Sequence, residues 1–298
     1  MMSNIEQFLK ENAQEVDKFV ENYLSLQRVP PQLFKALRYG AIGGGKKIRA
    51  SLLFAAGEAY EVSRATLLPL AAGIEMIHTF SLVHDDLPCM DNDDYRRGKP
   101  SMHRAFGEAM GVLVGDALLV EGLSLFMNNE GFIQSFGAER TLEMAQVILR
   151  ALGGEGMVGG QVLDLEYQGK DVKENEVYEI YHMKTACFIQ APVMCGGIAG
   201  GADQKERGVL AKFGLKLGIC FQIKDDLLDV TQESSILGKT AGKDVKQDKA
   251  TLIKIKGMEA AEKVLQDEFE QAVTLLSSLD RSFERLLGIA RFIVERRC

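Results

Sequence analysis

Proline is scarce, with six residues in 298, and the runs between prolines repeat at about 3.6 residues, which argues against an all-β chain. Cysteine is scarce too. Cys89, Cys187, Cys195, Cys220 and Cys298 are odd in number and stand at no metal-site spacing, so free thiols in a reducing compartment are expected. Positive charge is in deficit, with 35 Lys and Arg against 42 Asp and Glu and a net charge of −7. At a pI near 5.3 nucleic acid is a poor partner, and any anionic substrate must be met by local basic clusters. The stretch from Met1 to Gln27 is polar and amphipathic, with no apolar core of signal-peptide length and no Ser/Arg-rich leader. No apolar run approaches the ~18 uninterrupted residues of a membrane span. The expectation is a cytoplasmic protein without an integral membrane segment. What remains is ordinary globular material, 46% hydrophobic and 26% charged. No linker or shift of composition divides it, so a single all-α domain over residues 1–298 is expected.

The chain is organised around the stretch from Asp85-Asp86 through Asp91 to Arg96-Arg97-Gly98-Lys99. It follows directly on the apolar run Leu67 to Val83, where Leu70, Ile74, Ile77 and Leu82 share one side of a helical wheel. Asp85 and Asp86 therefore fall on the last turn of a buried helix, and Pro88 begins the exit. A second acidic cluster, Asp225-Asp226-Leu227-Leu228-Asp229, ends another apolar helix beginning near Gly208. Asp225 and Asp229 lie on one helical face, one turn apart. Carboxylates grouped this way are costly to bury unless cations neutralise them. All-oxygen ligation without Cys or His favours a hard cation, magnesium above all, completed by phosphate oxygens. The two clusters read as facing walls of a diphosphate site.

These motifs, in this order and spacing, resemble the trans-prenyltransferases, the short-chain isoprenyl diphosphate synthases. The resemblance runs from about Leu33 to Arg296. The first motif has four residues between its acids (DD-LPCM-D), the form of bacterial farnesyl and plant-type geranylgeranyl diphosphate synthases. The resemblance implies an all-α isoprenoid synthase fold, helices around a large central cavity, and a homodimer. It implies magnesium, three ions per active site, held by Asp85, Asp86, Asp91, Asp225, Asp226 and Asp229, with manganese able to substitute. The substrates would be small-molecule diphosphates.

Taken in order, helices are expected at 4–27, from Gln32, at 50–61, 66–86, 105–128, 139–152, from Met157, at 178–195, 208–223, 250–275 and 282–296, with a loop at 128–138. Gly43-Gly44-Gly45-Lys46-Lys47-Ile48-Arg49 is either a plain turn with exposed lysines or a glycine loop that lets amides and cations approach an oxyanion. By resemblance Lys46 and Arg49 bind isopentenyl diphosphate; the family usually has Pro next, where this chain has Ala50. His78 is about 20° from Asp85 on the wheel and matches a further isopentenyl diphosphate position. Arg96 and Arg97 follow, matched to the allylic diphosphate and to isopentenyl diphosphate; the planar guanidinium suits phosphate. Gly107, Gly111 and Gly115 recur at the spacing of close helix contact. Gln161 and Asp164 are polar residues on an otherwise apolar helix and resemble lining of the allylic pocket. Lys184-Thr185 is either a snorkelling pair or, by resemblance, a contact to the allylic diphosphate and the nascent cation. Gln222 matches a position whose amide oxygen faces that cation. Ser234 to Lys249, rich in Gly and Lys, is either plain surface or a cationic lid, with Lys239 and Lys249 as the matched contacts.

The implied reaction is head-to-tail condensation of isopentenyl diphosphate with allylic diphosphates. A terpene cyclase has no use for the set Lys46, Arg49, His78 and Arg97; a silent partner subunit would have lost acids from one motif. The Asp-x-Asp-x-Asp-Gly loop of a calcium-binding protein is absent. Product length turns on two residues. Ser81 lies on the face of Asp85, about 6 Å down the axis, and blocks little. Phe80 is turned about 140° from Asp85, so it either packs on a neighbouring helix or, by resemblance, forms the floor that stops growth at fifteen carbons. Farnesyl diphosphate is the expected main product, geranylgeranyl diphosphate the alternative.

Overall fold

Leu67, Leu70, Ile74 and Ile77 are all fully buried, and so is Ala72 on the opposite side of the same helix. A helix apolar all round can satisfy itself only at the centre of a bundle. This is α4 (Arg64–Asp85), capped at its start by Ser63, whose side chain accepts from the Thr66 amide. The computed structural model of the chain describes residues 2–233 and 249–296. Its residues fall into two compact units, 3–145 and 146–298, each of which is built almost wholly of helices.

In the first unit, α1 (Met2–Ser25), α2 (Pro31–Ala41) and α3 (Ile48–Glu58) precede α4. A hairpin follows, β1 (Tyr95–Arg96) paired antiparallel with β2 (Lys99–Pro100), then α5 (Met102–Phe106), α6 (Glu108–Met127) and most of α7 (Glu130–Leu152). Phe8, Val16, Val20 and Leu24 turn one face of α1 inward. Polar pins hold that helix in register: Asn12 Nδ2 donates to Ser51 Oγ at 3.0 Å, and Arg64 Nη2 donates to Glu15 at 2.9 Å. Pro31 opens α2 at its first position, where the missing amide costs nothing.

The closest approach in this unit is that of α4 to α6. A Cβ on Gly73 would lie 2.3 Å from the Gly122 carbonyl oxygen, and one on Gly122 would lie 2.8 Å from the Gly73 carbonyl. Gly111 and Gly115 serve the same contact, admitting Leu87 and the His84 ring. Gly107 does not. Its φ of +90° ends α5 and starts α6, so the single helix expected over 105–128 is two. The loop expected at 128–138 is also mostly helical: α7 begins at Glu130 and is broken at Gly137, where φ is +78°.

The second unit holds α8 (Met157–Tyr167), α9 (Glu174–Ile180), a π-helical segment Tyr181–Ala186, α10 (Cys187–Ala199) and α11 (Gln204–Glu233). It closes with α12 (Leu252–Lys256), α13 (Met258–Ser277) and α14 (Glu284–Glu295). Its core joins Val177, Ile180 and Tyr181 to Cys220, Ile223 and Leu227 of α11, and these to Leu252, Ala261 and Leu265. Gly257, with φ +85°, splits the helix expected over 250–275. The second acidic cluster does not end its helix, since α11 runs on to Glu233. Cys89, Cys187, Cys195 and Cys220 are free thiols, and burial pushes the Cys220 thiol up to about 12.

Among the described residues two helices, α4 and α6, are long and apolar enough to cross a membrane by length and composition, although neither is an uninterrupted apolar run. Most of α4 is buried protein core, and it supplies the contact face for α6.

The Gly73–Gly122 approach leaves no room for a methyl group. Gly73→Ala is expected to cost ~1–3 kcal/mol by forcing the two backbones apart, read as a lowered urea midpoint at unchanged slope.

Candidate active site

In the first unit the chain leaves α4 in a loop that folds back on the acids: the Asp91 amide donates to the Asp85 carbonyl at 2.8 Å and the Asp93 amide to that of Asp86 at 3.2 Å. The two-residue turn Arg97-Gly98 then reverses the chain with φ +53° and +77°, the left-handed pair that fits a tight hairpin. Because successive residues leave such a hairpin in different directions, the two arginines part. Arg96 Nε donates to both oxygens of the buried Asp86 carboxylate, at 3.0 and 3.2 Å, and its Nη2 bridges the same group. Burial would lower the Arg96 pKa, but Asp86, Asp85 and Asp91 outweigh it and raise it. Arg97 lies instead over the glycine loop. A Cβ on Gly45 would fall 2.7 Å from Arg97 Nη2, and one on Gly44 2.9 Å from its Cδ. The glycines therefore admit an arginine.

Around this guanidinium the other predicted residues gather. His78 feels, after its own burial, the charges of Arg49, Arg97, Lys47 and Arg96, and all of these hold its pKa well below 6.5. Its Nδ1 is buried with no hydrogen-bond partner among the described residues. Lys46 is exposed. It is Lys47 that turns inward, taking a left-handed φ of +46° at the start of α3 so that Nζ reaches the Ala41 carbonyl (3.1 Å) and Asp17 (3.3 Å). Ala50 donates its amide to the buried Glu75 carboxylate at 2.9 Å. A proline there could not, so the departure from the family's usual residue matches a buried acid one helix away.

Phe80 is half-buried and meets His84 edge to face, with centroids 5.2 Å apart. The His84 ring fills the notch at Gly115, and its Nε2 lies 3.0 Å from the Val112 carbonyl. Ser81 Oγ donates to the His78 carbonyl at 2.8 Å.

In the second unit the π-helical segment is gripped by glycines from both sides. A Cβ on Gly160 of α8 would lie 2.2 Å from the Lys184 amide nitrogen, and one on Gly218 of α11 would lie 2.3 Å from Ala186 Cα. This grip, with the wider π turn, aims Lys184 at Asp164 of α8 (Nζ to Oδ2 2.5 Å) and Thr185 at Gln222 of α11 (Oγ1 donating to Oε1, 2.7 Å). Gln222 Nε2 donates onward to Asp226 at 2.9 Å, and the Tyr181 hydroxyl donates to the other oxygen of that buried carboxylate. Asp164, Tyr181, Lys184, Thr185, Gln222, Asp226 and Lys249 line one small cavity of about 50 Å³. Asp225 points elsewhere and is held by Arg296, whose Nη2 lies 2.5 Å from its Oδ1 while the guanidinium covers the Phe221 ring at 4.1 Å. Asp229, one turn on, is half-buried. Gln161 Nε2 is buried without a partner among the described residues. Lys239 and the rest of the expected lid up to residue 248 lie outside the described residues.

No three acids converge closely enough to hold a metal ion among the described residues. The donor set nevertheless suits a hard cation: each cluster offers carboxylate oxygens only, and each already carries a guanidinium as counter-ion, Arg96 on Asp86 and Arg296 on Asp225.

The family model of the polyprenyl synthetases matches residues 30–285. The chain belongs to the polyprenyl synthetase family. It is 38% identical over 293 residues to the farnesyl diphosphate synthase of Geobacillus stearothermophilus, covering 98% of both chains. It is 40% identical over 292 residues to geranylgeranyl pyrophosphate synthase 7, chloroplastic, of Arabidopsis thaliana, covering 95% of this chain and 82% of the relative. Among solved structures it is similar to an FPP/GFPP synthase from Zymomonas mobilis, with TM-score 0.88, 34% identity and coverage of 99% and 100%. The fold is thus the all-α isoprenoid synthase fold, and membership makes the chain a prenyltransferase that elongates prenyl chains; such synthases generally depend on a divalent metal.

Tyr181, Lys47, Glu75 and Arg296 escaped the sequence reading. Tyr181 and Arg296 fall within the helices expected at 178–195 and 282–296, Lys47 within the lysine turn and Glu75 within the apolar run. The signal was present only for Glu75, a lone acid inside the apolar run of α4.

The depressed His78 predicts a pH effect. Below the ordinary His value of 6.5 the unfolded chain takes up a proton that folded His78 resists, so stability present at neutral pH is lost as pH falls. Between pH 6.5 and 5.5 the protein should lose ~1 kcal/mol more than His78→Gln in urea unfolding; equal losses would contradict the assignment.

Proposed function

We propose that the chain condenses isopentenyl diphosphate with dimethylallyl and geranyl diphosphates, giving farnesyl diphosphate as main product. The observation that carries the product length is Phe80, an aromatic five residues before Asp85. Geranylgeranyl diphosphate is the second reading, favoured by the 40% identical plant relative and by the packing of Phe80 toward His84.

In this reading Lys46, Arg49, His78 and Arg97 hold the diphosphate of the non-ionising partner. His78 is depressed by its burial and then by the positive charge around it, and that charge is what an anion would relieve. Arg96, Lys184 and Lys249 draw negative charge at the leaving diphosphate, and Lys239 is assigned there by resemblance alone. Thr185 and Gln222 would turn their oxygens toward the allylic cation, which requires their mutual bond to open. Asp85, Asp86, Asp91, Asp225, Asp226 and Asp229 would hold magnesium, three ions per site, which when bound supplies Lewis-acid neutralisation of the departing diphosphate. The family match spans both units, so residues 1–298 are read as one functional domain. A homodimer is supported by Leu113, Val120 and Met127, which recur every seven residues on α6 and remain 56%, 59% and 37% exposed. The free thiols fit a cytoplasmic setting.

Asp85→Ala and Asp225→Ala should each slow turnover at saturating magnesium by about 100-fold or more while the far-UV spectrum is retained. Most of the activity surviving in either variant would remove that cluster from the reaction. Product length is read by chromatography of chains grown from radiolabelled isopentenyl diphosphate on dimethylallyl, geranyl or farnesyl diphosphate. Phe80→Ala should lengthen the product by at least one five-carbon unit, whereas an unchanged distribution with intact activity puts the floor elsewhere.

A further inference from the structure

Tyr181 is 2% exposed, and its hydroxyl makes two bonds of opposite sense: it donates to Asp226 Oδ2 and accepts the Leu252 amide at 2.8 Å. Asp226 is 4% exposed, and Gln222 Nε2 occupies its other oxygen. A phenol and an amide thus each donate to one oxygen of the Asp226 carboxylate. The Leu252 amide is the first of α12, which follows directly on Lys249, Ala250 and Thr251, residues that line the same cavity as Asp226. A phenol in this place is informative. A serine is too short to span the distance, and a lysine would neutralise the carboxylate outright. Tyrosine can orient it through a hydrogen bond without itself carrying a charge.

We infer that Tyr181 is the positioning residue of the second acidic cluster, fixing Asp226 for a divalent cation and tying the state of that carboxylate to the backbone at Leu252. The inference rests on the reading that residues 225–229 receive such a cation. In the chain amide to hydroxyl to carboxylate, each bond polarises the next, so an Asp226 held still by a cation holds the hydroxyl still. Opening of the Leu252 amide then becomes rarer. Partners that orient metal-binding carboxylates typically contribute about 10- to 100-fold in metal affinity.

The test uses the full-length protein with manganese and inorganic diphosphate, read by electron paramagnetic resonance of bound manganese and by hydrogen exchange at Leu252. In the unaltered protein, manganese diphosphate should slow Leu252 exchange about threefold or more. In Tyr181→Phe the Leu252 amide should exchange faster, lose its response to metal, and the protein should bind manganese about tenfold more weakly. Unchanged manganese affinity in a folded Tyr181→Phe protein overturns the inference, and so does an unaltered protein that binds manganese with no change at Leu252. Asp226→Asn separates the two levels. If it weakens manganese binding and Tyr181→Phe does not, only the role of Tyr181 falls. If neither does, the cation reading of the second cluster falls with it.

Discussion

The structure depends on what is done with carboxylates taken out of water. An ionised acid in a low-dielectric interior is tolerated only with a counter-charge or full hydrogen bonding, and each buried acid near the candidate site has one or the other. Asp86 has Arg96, Asp164 has Lys184, and Asp226 has Tyr181 and Gln222. Asp225 is half-exposed and still carries Arg296. These partners differ in what they leave behind: a guanidinium or an ammonium cancels the charge, whereas a phenol and an amide preserve it. Asp226 takes such uncharged donors on both of its oxygens.

The same constraint shapes the cationic side. Burial first, and then the charges of Arg49, Arg97 and Lys47, hold the His78 pKa well below its ordinary value. Like charges held this close repel one another, a cost that a bound anion would relieve. Glycine makes the crowding sterically feasible. Gly44 and Gly45 admit Arg97, Gly115 admits His84, and Gly160 and Gly218 clamp the π-helical segment. In each case the missing side chain is what makes room for the neighbouring group.

How much of this was legible in the sequence follows from the range of each interaction. Helix content, the burial of the run before Asp85 and the pairing of acids at i and i+4 are local, and they follow from periodicity alone. Breaks at Gly107 and Gly257 are local too. They were missed because a single glycine inside a periodic stretch reads equally as a packing residue and as a left-handed stop, and only the φ it adopts decides.

What the sequence by itself determined is the chemistry on offer: an all-helical chain with two carboxylate clusters, a glycine–lysine–arginine loop and an arginine pair. Each of these depends on residue type and on spacing within one or two helical turns. What only the tertiary structure decided is which of them meet. Lys47 rather than Lys46 turns inward because Asp17 and the Ala41 carbonyl await it, and Ala50 can replace a proline because Glu75 receives its amide. Tyr181 reaches both Asp226 and Leu252. Apart from Ala41, those partners stand tens of residues away, and no local pattern encodes a hydrogen bond that exists only after the helices have packed.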